Sequence, residues 1–162
     1  MKLWSELNQF WISQAAKYNG TWIRTPTVLQ MENTECGAAA LSIILQHYGK
    51  YVPLTQLREM CGVSRDGSDA ANIILAANQL GLNGRGFKKG LVQLKKLKLP
   101  VILFWEFNHF LVLEGFVGNR VMLNDPAMGP RSVSEEEFDT SYTGVNLVLE
   151  TTDEFIRGGK PP

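Results

Sequence analysis

The chain has 162 residues, 44 % of them apolar, and its 16 basic and 16 acidic side chains cancel. That length suits one domain that buries a core without a metal or disulfide staple. With no net field to recruit nucleic acid or an anionic membrane, a peptide or a small neutral molecule is the expected kind of partner, and no nucleic acid.

Two cysteines, Cys36 and Cys61, without a CxxC, and two histidines, His47 and His109, are too few for a metal site, so no metal is expected. The first residues lack the pattern of a signal peptide, and no run of 18 apolar residues occurs, so the expectation is a reduced, cytoplasmic domain.

In chain order, residues 1–24 carry Leu3, Trp4, Leu7, Phe10 and Trp11 at helical spacing. This is an amphipathic segment that packs on its own domain or docks on a partner. TPTVLQ, at 25–30, reads as extended, with Pro26 opposing helix. Asn33 or Thr34 is placed to cap a helix with apolar positions at Ala40, Leu41, Ile44, Leu45 and Tyr48, closed by Gly49. PLTQLREMCG predicts a second helix, with Thr55 as cap and Gly62 past its end. SDAANIILAANQLG predicts a third, ending at Gly81.

Composition changes after Gly81. GRGF, at 84–87, predicts a short strand, and LVQLKKLKLP a short helix halted before Pro100. Strands are expected at 101–107, 109–116 and 120–125, with a tight VGN turn before the third, and at 145–150. Helices first and antiparallel strands second indicate an α+β domain over 25–150. Lys88, Lys89, Lys95, Lys96 and Lys98 read as a solvated face. RGGKPP has linker composition, so 151–162 are expected to lead toward a missing portion of a longer chain, Gly158-Gly159 being part of that linker.

Four residues form a candidate constellation. Cys36 lies in the opening turn of a helix, where unsatisfied N–H groups and the macrodipole favour negative charge. Small residues, Gly37 and Ala38 to Ala40, follow it and leave room for a substrate backbone. His109 is the candidate base, because His47 lies eleven residues beyond Cys36, about 16 Å along a helix. Asp125, at the close of the next strand, can orient an imidazole and stabilise its cation. A two-residue Gly118-Asn119 loop in strict register would put His109 and Asp125 on opposite faces, so their pairing requires an odd-length loop or a bulge. Gln30 offers an amide donor to an oxyanion, a group worth about 10²–10³ in turnover. Each residue also has a plain structural reading: a buried thiol, a core histidine, a turn aspartate before proline, a polar lead-in residue.

Taken together, Q-x5-C-G-x-A at Gln30 to Ala39, NHFLVLEG at Asn108 to Gly115 and NDPAMG at Asn124 to Gly129 resemble the bacteriocin-processing peptidase domains of peptidase-containing ABC exporters. SRDGSDAANIILAANQLGL resembles the family's middle helix, and the likeness spans about residues 25–150. One departure is Glu35, where many members carry Asp before the cysteine; its expected task is local capping.

The resemblance implies a papain-like cysteine peptidase fold, with Cys36 as nucleophile, His109 as base, Asp125 as its orienter and Gln30 in the oxyanion hole. It implies removal of a leader from a ribosomal precursor peptide after a double-glycine-type motif, coupled to export. The implied partners are a precursor with a helical leader and the transmembrane and ATPase portions of an exporter. No cofactor is implied for proteolysis, and ATP only at a separate nucleotide-binding domain. The implied location is the cytoplasmic face of a bacterial inner membrane, this fragment alone being soluble. Asn108 is a candidate substrate-binding residue beside His109, and Cys61 is expected to be an inert thiol. The alternatives are a non-catalytic leader-binding domain and a papain-like acyltransferase using the same trio.

Overall fold

The computed structural model describes residues 21–62 and 69–162, so most of the amphipathic segment and the start of the SRDGSD motif lie outside the described residues. After an extended lead-in, a 3-10 turn (Asn33–Glu35) runs directly into helix α1 (Cys36–His47). Cys36 through Leu45 are all buried, as a helix that is apolar all round demands. Neither Asn33 nor Thr34 caps it. Glu32 opens the 3-10 turn and Glu35 opens the helix, and the Glu35 carboxylate instead accepts the N–H groups of Met31 (2.8 Å) and Glu32 (3.2 Å). This is the local capping expected of Glu35. Gly49, at φ 92°, ends the segment.

Helix α2 (Leu54–Met60) starts after Pro53 rather than on a Thr55 cap. Helix α3 (Ala70–Gln79) is capped by Asp69, whose carboxylate accepts the Asn72 N–H at 2.8 Å. Strand β1 (Leu82–Lys88), the short helix α4 (Leu91–Leu94), β2 (Val101–Trp105), β3 (His109–Val117), β4 (Arg120–Asp125) and β5 (Gly129–Ser134) follow. Helix α5 (Glu135–Ser141) and β6 (Tyr142–Thr151) complete the described elements. The six strands form one antiparallel sheet in the order β1-β6-β2-β3-β4-β5.

Both faces of the sheet are buried. Leu41, Ile44, Leu45 and Ile73 of the helices pack against Ile102, Val112 and Leu147, while Leu103, Leu111, Leu123 and Phe138 form a second core. This explains why β3 is buried almost throughout instead of alternating.

Two elements had no counterpart in the strands and helices expected from sequence. β5 carries Gly129 and Pro130 and reads as loop, and α5 is only seven residues long. The Ser134 hydroxyl caps α5 through the Glu137 N–H at 3.1 Å, a Ser-x-x-Glu signal present in the sequence. Strand β2 stops at Trp105, not Phe107, because Glu106 and Phe107 turn at φ 53° and 60°. The tail is more attached than linker composition suggests. Phe155 is buried in the helical core, Tyr51 N–H donates to Gly158 O (2.8 Å), and Gly158 N–H donates to Gly49 O (3.0 Å).

Candidate active site

The site forms where the start of α1 meets the end of the sheet. Strand β3 begins at His109, just after the turn at Glu106 and Phe107. The Asn108 N–H closes that turn on Trp105 O at 3.2 Å, and Glu106 N–H ties it to Ser141 O at 2.7 Å. Two successive non-glycine residues at positive φ persist only where the surroundings enforce them, and here they set the origin of β3.

Asp125 reaches His109 through a β-bulge. From the Gly118-Asn119 turn the pairing runs Val117 to Arg120, Phe116 to Val121 and Gly115 to Met122, then shifts so that Leu113 meets Leu123 and Val112 meets Asn124. Continuing that register sets Asp125 opposite Leu111, two residues from His109 and hence on the same face. Without the shift it would oppose Val112, three residues away and on the wrong face. The extra residue is Glu114.

The outcome is a hydrogen bond of 2.6 Å between His109 Nε2 and Asp125 Oδ1. Burial works against the Asp125 carboxylate, but bonds from His109 and the Ala127 N–H, with the charges of His109 and Arg131, hold it below the usual carboxylate range. An ionised carboxylate only accepts, so Nε2 carries the proton and Nδ1 is the ring nitrogen left for sulfur. Burial opposes the His109 cation too. Hydrogen bonds to Asp125 and Cys36, and the charges of both, nonetheless raise the imidazole to about 9. Arg131 Nε stands 3.6 Å from Asp125 Oδ2, behind the pair.

Gln30 enters from the lead-in. Its N–H donates to Pro126 O at 2.8 Å, just past Asp125, and its side-chain Oε1 is buried without a hydrogen-bond partner. Glu35, three residues on from the Glu32 that opens the 3-10 turn, braces the 30–36 connection and is itself paired to Arg58 at 2.8 Å. A cleft of about 410 Å3 is lined by Gln30, Asn108, His109, Asp125 and Met128, among others. Cys36, only 6 % exposed, does not line that cleft and meets the site through the His109 ring. Asn108 is exposed on the cleft wall.

The structure therefore brings Gln30, Asn108, His109 and Asp125 onto one cleft, with the buried Cys36 close enough to act on the His109 ring. Cys61 is free and buried in the helical core, where burial pushes its thiol up to about 11. Among the described residues no cluster of three or more His, Cys, Asp or Glu could hold a metal, and no helix is long and apolar enough to cross a membrane. Of the lysines, Lys95 pairs with Glu135 at 3.1 Å and Lys89 lies over Phe87.

Sequence reading passed over three residues: Arg131, Asn124 and Glu114. Asn124 Nδ2 donates to Thr25 Oγ1 (2.9 Å) and Pro26 O (3.1 Å), fastening the lead-in to β4. Glu114 fastens it to β3. The available signal was one acid inside the apolar run HFLVLEGF.

Helices packed on an antiparallel sheet, with a cysteine-bearing helix start facing a histidine–aspartate pair, is the papain-like architecture. The Peptidase C39 family pattern matches residues 24–154, and the chain belongs to that family. It is 42 % identical over 132 residues to the colicin V secretion/processing ATP-binding protein CvaB of Escherichia coli, covering 82 % of this chain and 19 % of that protein. A likeness of 32 % over 126 residues links it to the lactococcin-G-processing and transport ATP-binding protein LagD of Lactococcus lactis, covering 74 % of this chain and 18 % of LagD. The chain thus spans about a fifth of those relatives. Among solved structures, a double glycine motif protease from an AMS/PCAT transporter, in complex with the leader peptide, superposes with a TM-score of 0.79. It is 47 % identical and the match covers 81 % of this chain and 94 % of that one. The peptidase domain of Streptococcus ComA matches with a TM-score of 0.74 at 27 % identity, over 77 % of this chain and 97 % of that one.

Proposed function

We propose that this chain is a cysteine endopeptidase that removes the leader from a ribosomal precursor peptide directly after a double-glycine-type motif. The observation that carries the reading is the 2.6 Å bond from His109 to Asp125, on a ring whose cation Cys36 also favours. A ring raised to about 9 is a cation near neutral pH, the partner a nucleophilic thiolate requires. The sulfur attacks the carbonyl of the second glycine, and Gln30 with the N–H of Cys36 holds the oxyanion. His109 gives its proton to the leaving amine, which frees the mature peptide and leaves the leader as a thioester on Cys36. It then takes a proton from the water that hydrolyses the thioester. Asp125 holds the ring's Nε2–H throughout, and Asn108 flanks the substrate.

The reading carries a preference for glycine, since a narrow passage at the scissile bond would admit a bare backbone but no side chain. The peptide chemistry runs on these side chains alone. ATP belongs to the portion of an exporter beyond this chain, which would hold the domain at the cytoplasmic face of the membrane. The test is mass spectrometry of a double-glycine precursor peptide incubated with the chain. One cut directly after the glycine pair is expected, abolished in Cys36→Ala with leader binding retained. Cleavage elsewhere, or cleavage that survives the substitution, removes the assignment.

A further inference from the structure

A buried carboxylate is among the groups that strap the Gln30-bearing lead-in to the sheet. Glu114 is 2 % exposed, and its Oε2 accepts the Thr25 N–H and the Thr25 hydroxyl, both at 2.7 Å. Its Oε1 accepts Trp22 Nε1–H at 3.2 Å, and its backbone carbonyl accepts the Ile23 N–H at 2.8 Å. A carboxylate inside an apolar strand is tolerated only when donors answer it, and the donors here come from residues 22–25. Gly115 keeps the approach open, because a Cβ there would stand 1.9 Å from Thr21 O. From Thr25 the chain passes Asn124, which holds Thr25 and Pro26, and arrives at Gln30, whose N–H is fixed on Pro126 O.

We infer that Glu114 is a positioning residue for oxyanion stabilisation: it fixes the lead-in and thereby sets the Gln30 amide at the cleft. The inference rests on the oxyanion role proposed for Gln30. The physical ground is preorganisation. A donor stabilises a developing oxyanion only if it is already in place, and Gln30 sits on a segment with no secondary structure of its own to hold it. Glu114 is also the extra residue of the bulge that puts His109 and Asp125 on one face, but that register belongs to the backbone, whereas the carboxylate acts on the lead-in. It touches no reacting atom.

The test is a double-mutant cycle in steady-state cleavage of a double-glycine precursor peptide. The variants are Gln30→Ala, Glu114→Gln, Thr25→Val and the two doubles containing Gln30→Ala. Gln30→Ala should lower kcat by about 10²-fold. Glu114→Gln and Thr25→Val should each lower kcat by about tenfold with KM within about twofold, yet cost less than about twofold when Gln30 is already alanine. Alkylation of Cys36 by iodoacetamide, which uses no oxyanion hole, should stay within about twofold of wild type in both single variants. Thr25→Val keeps the test alive if Glu114→Gln fails to fold, because Thr25 is only half-buried. Additive losses, or an unchanged kcat in both single variants, overturn the inference while leaving Gln30 its role. So does alkylation falling in step with kcat, which would place the effect on the Cys36–His109 pair. An unchanged kcat in Gln30→Ala removes the oxyanion assignment itself and the inference with it.

Discussion

The buried carboxylates of the protein and the buried amide in the middle of its sheet are treated differently. Glu35, Glu114 and Asp125 are each 3 % exposed or less, and each is met by donors: backbone N–H groups and Arg58 for Glu35, the lead-in for Glu114, His109 and the Ala127 N–H for Asp125. Between Phe87 of β1 and Leu103 of β2, Asn146 is fully buried and neither of its amide atoms has a partner. The two thiols divide in the same way. Cys36 opens a helix against an imidazole, whereas Cys61 closes one inside the apolar core with its proton held tightly. The three carboxylates lock geometry into place; the buried amide of Asn146 is a cost without a return in hydrogen bonds.

The largest effect that would sharpen this contrast is at Asp125. Asp125→Asn keeps the shape but loses the charge that orients and ionises His109, so kcat should fall between about 10²- and 10⁴-fold with the fold intact by circular dichroism. Cys61→Ala in the same cleavage assay should leave the rate within about twofold, since a tightly protonated thiol is a poor nucleophile. An undiminished rate in Asp125→Asn would reduce Asp125 to a turn residue.

Next comes the bulge. Gly115→Ala forces a methyl group into the backbone of Thr21 and Trp22, and unfolding in urea should show a loss of about 1–3 kcal/mol. A variant as stable as wild type would mean that the lead-in is not held where Gly115 meets it.

The smallest effect is at Asn146. Asn146→Leu, of similar volume, removes two unanswered polar atoms from the core and should raise stability by about 1 kcal/mol. A loss of stability there would break the comparison by showing that Asn146 has found a partner, such as an internal water.

What the sequence displayed well was local. The glycines at 49, 62 and 81 mark the ends of the first three helices, and all three have positive φ. Cys36 was recognisable as a helix start and shares its motif with Gln30, whereas His109 and Asp125 were carried by two further motifs, NHFLVLEG and NDPAMG. The cap at Asn33 or Thr34 failed because both residues lie inside the 3-10 turn, whose cap position is Glu32. The register of β3 against β4 was legible only as a problem. A bulge at Glu114 is stabilised by Trp22 and Thr25, some ninety residues away in sequence, and no window on HFLVLEGF contains that contact. Strand β5 was hidden for a related reason: its pairing with β4 is non-local, while its own Gly129 and Pro130 read as turn. The tail shows that composition underdetermines contact, since a glycine-rich stretch suited to a linker also suits the close approach to Tyr51 that Gly159 makes.

The central claim, that Cys36, His109 and Asp125 form one electrostatic unit, is tested most directly by imidazole NMR titration of a chain that has only two histidines. The His109 ring should titrate near 9, and fall toward 6.5 in both Cys36→Ala and Asp125→Asn. His47, which burial and Lys98 push below 6.5 against the opposing pull of Glu114, should stay there in every variant. A His109 ring that titrates near 6.5 in the wild-type chain and ignores the loss of Cys36 would contradict the account.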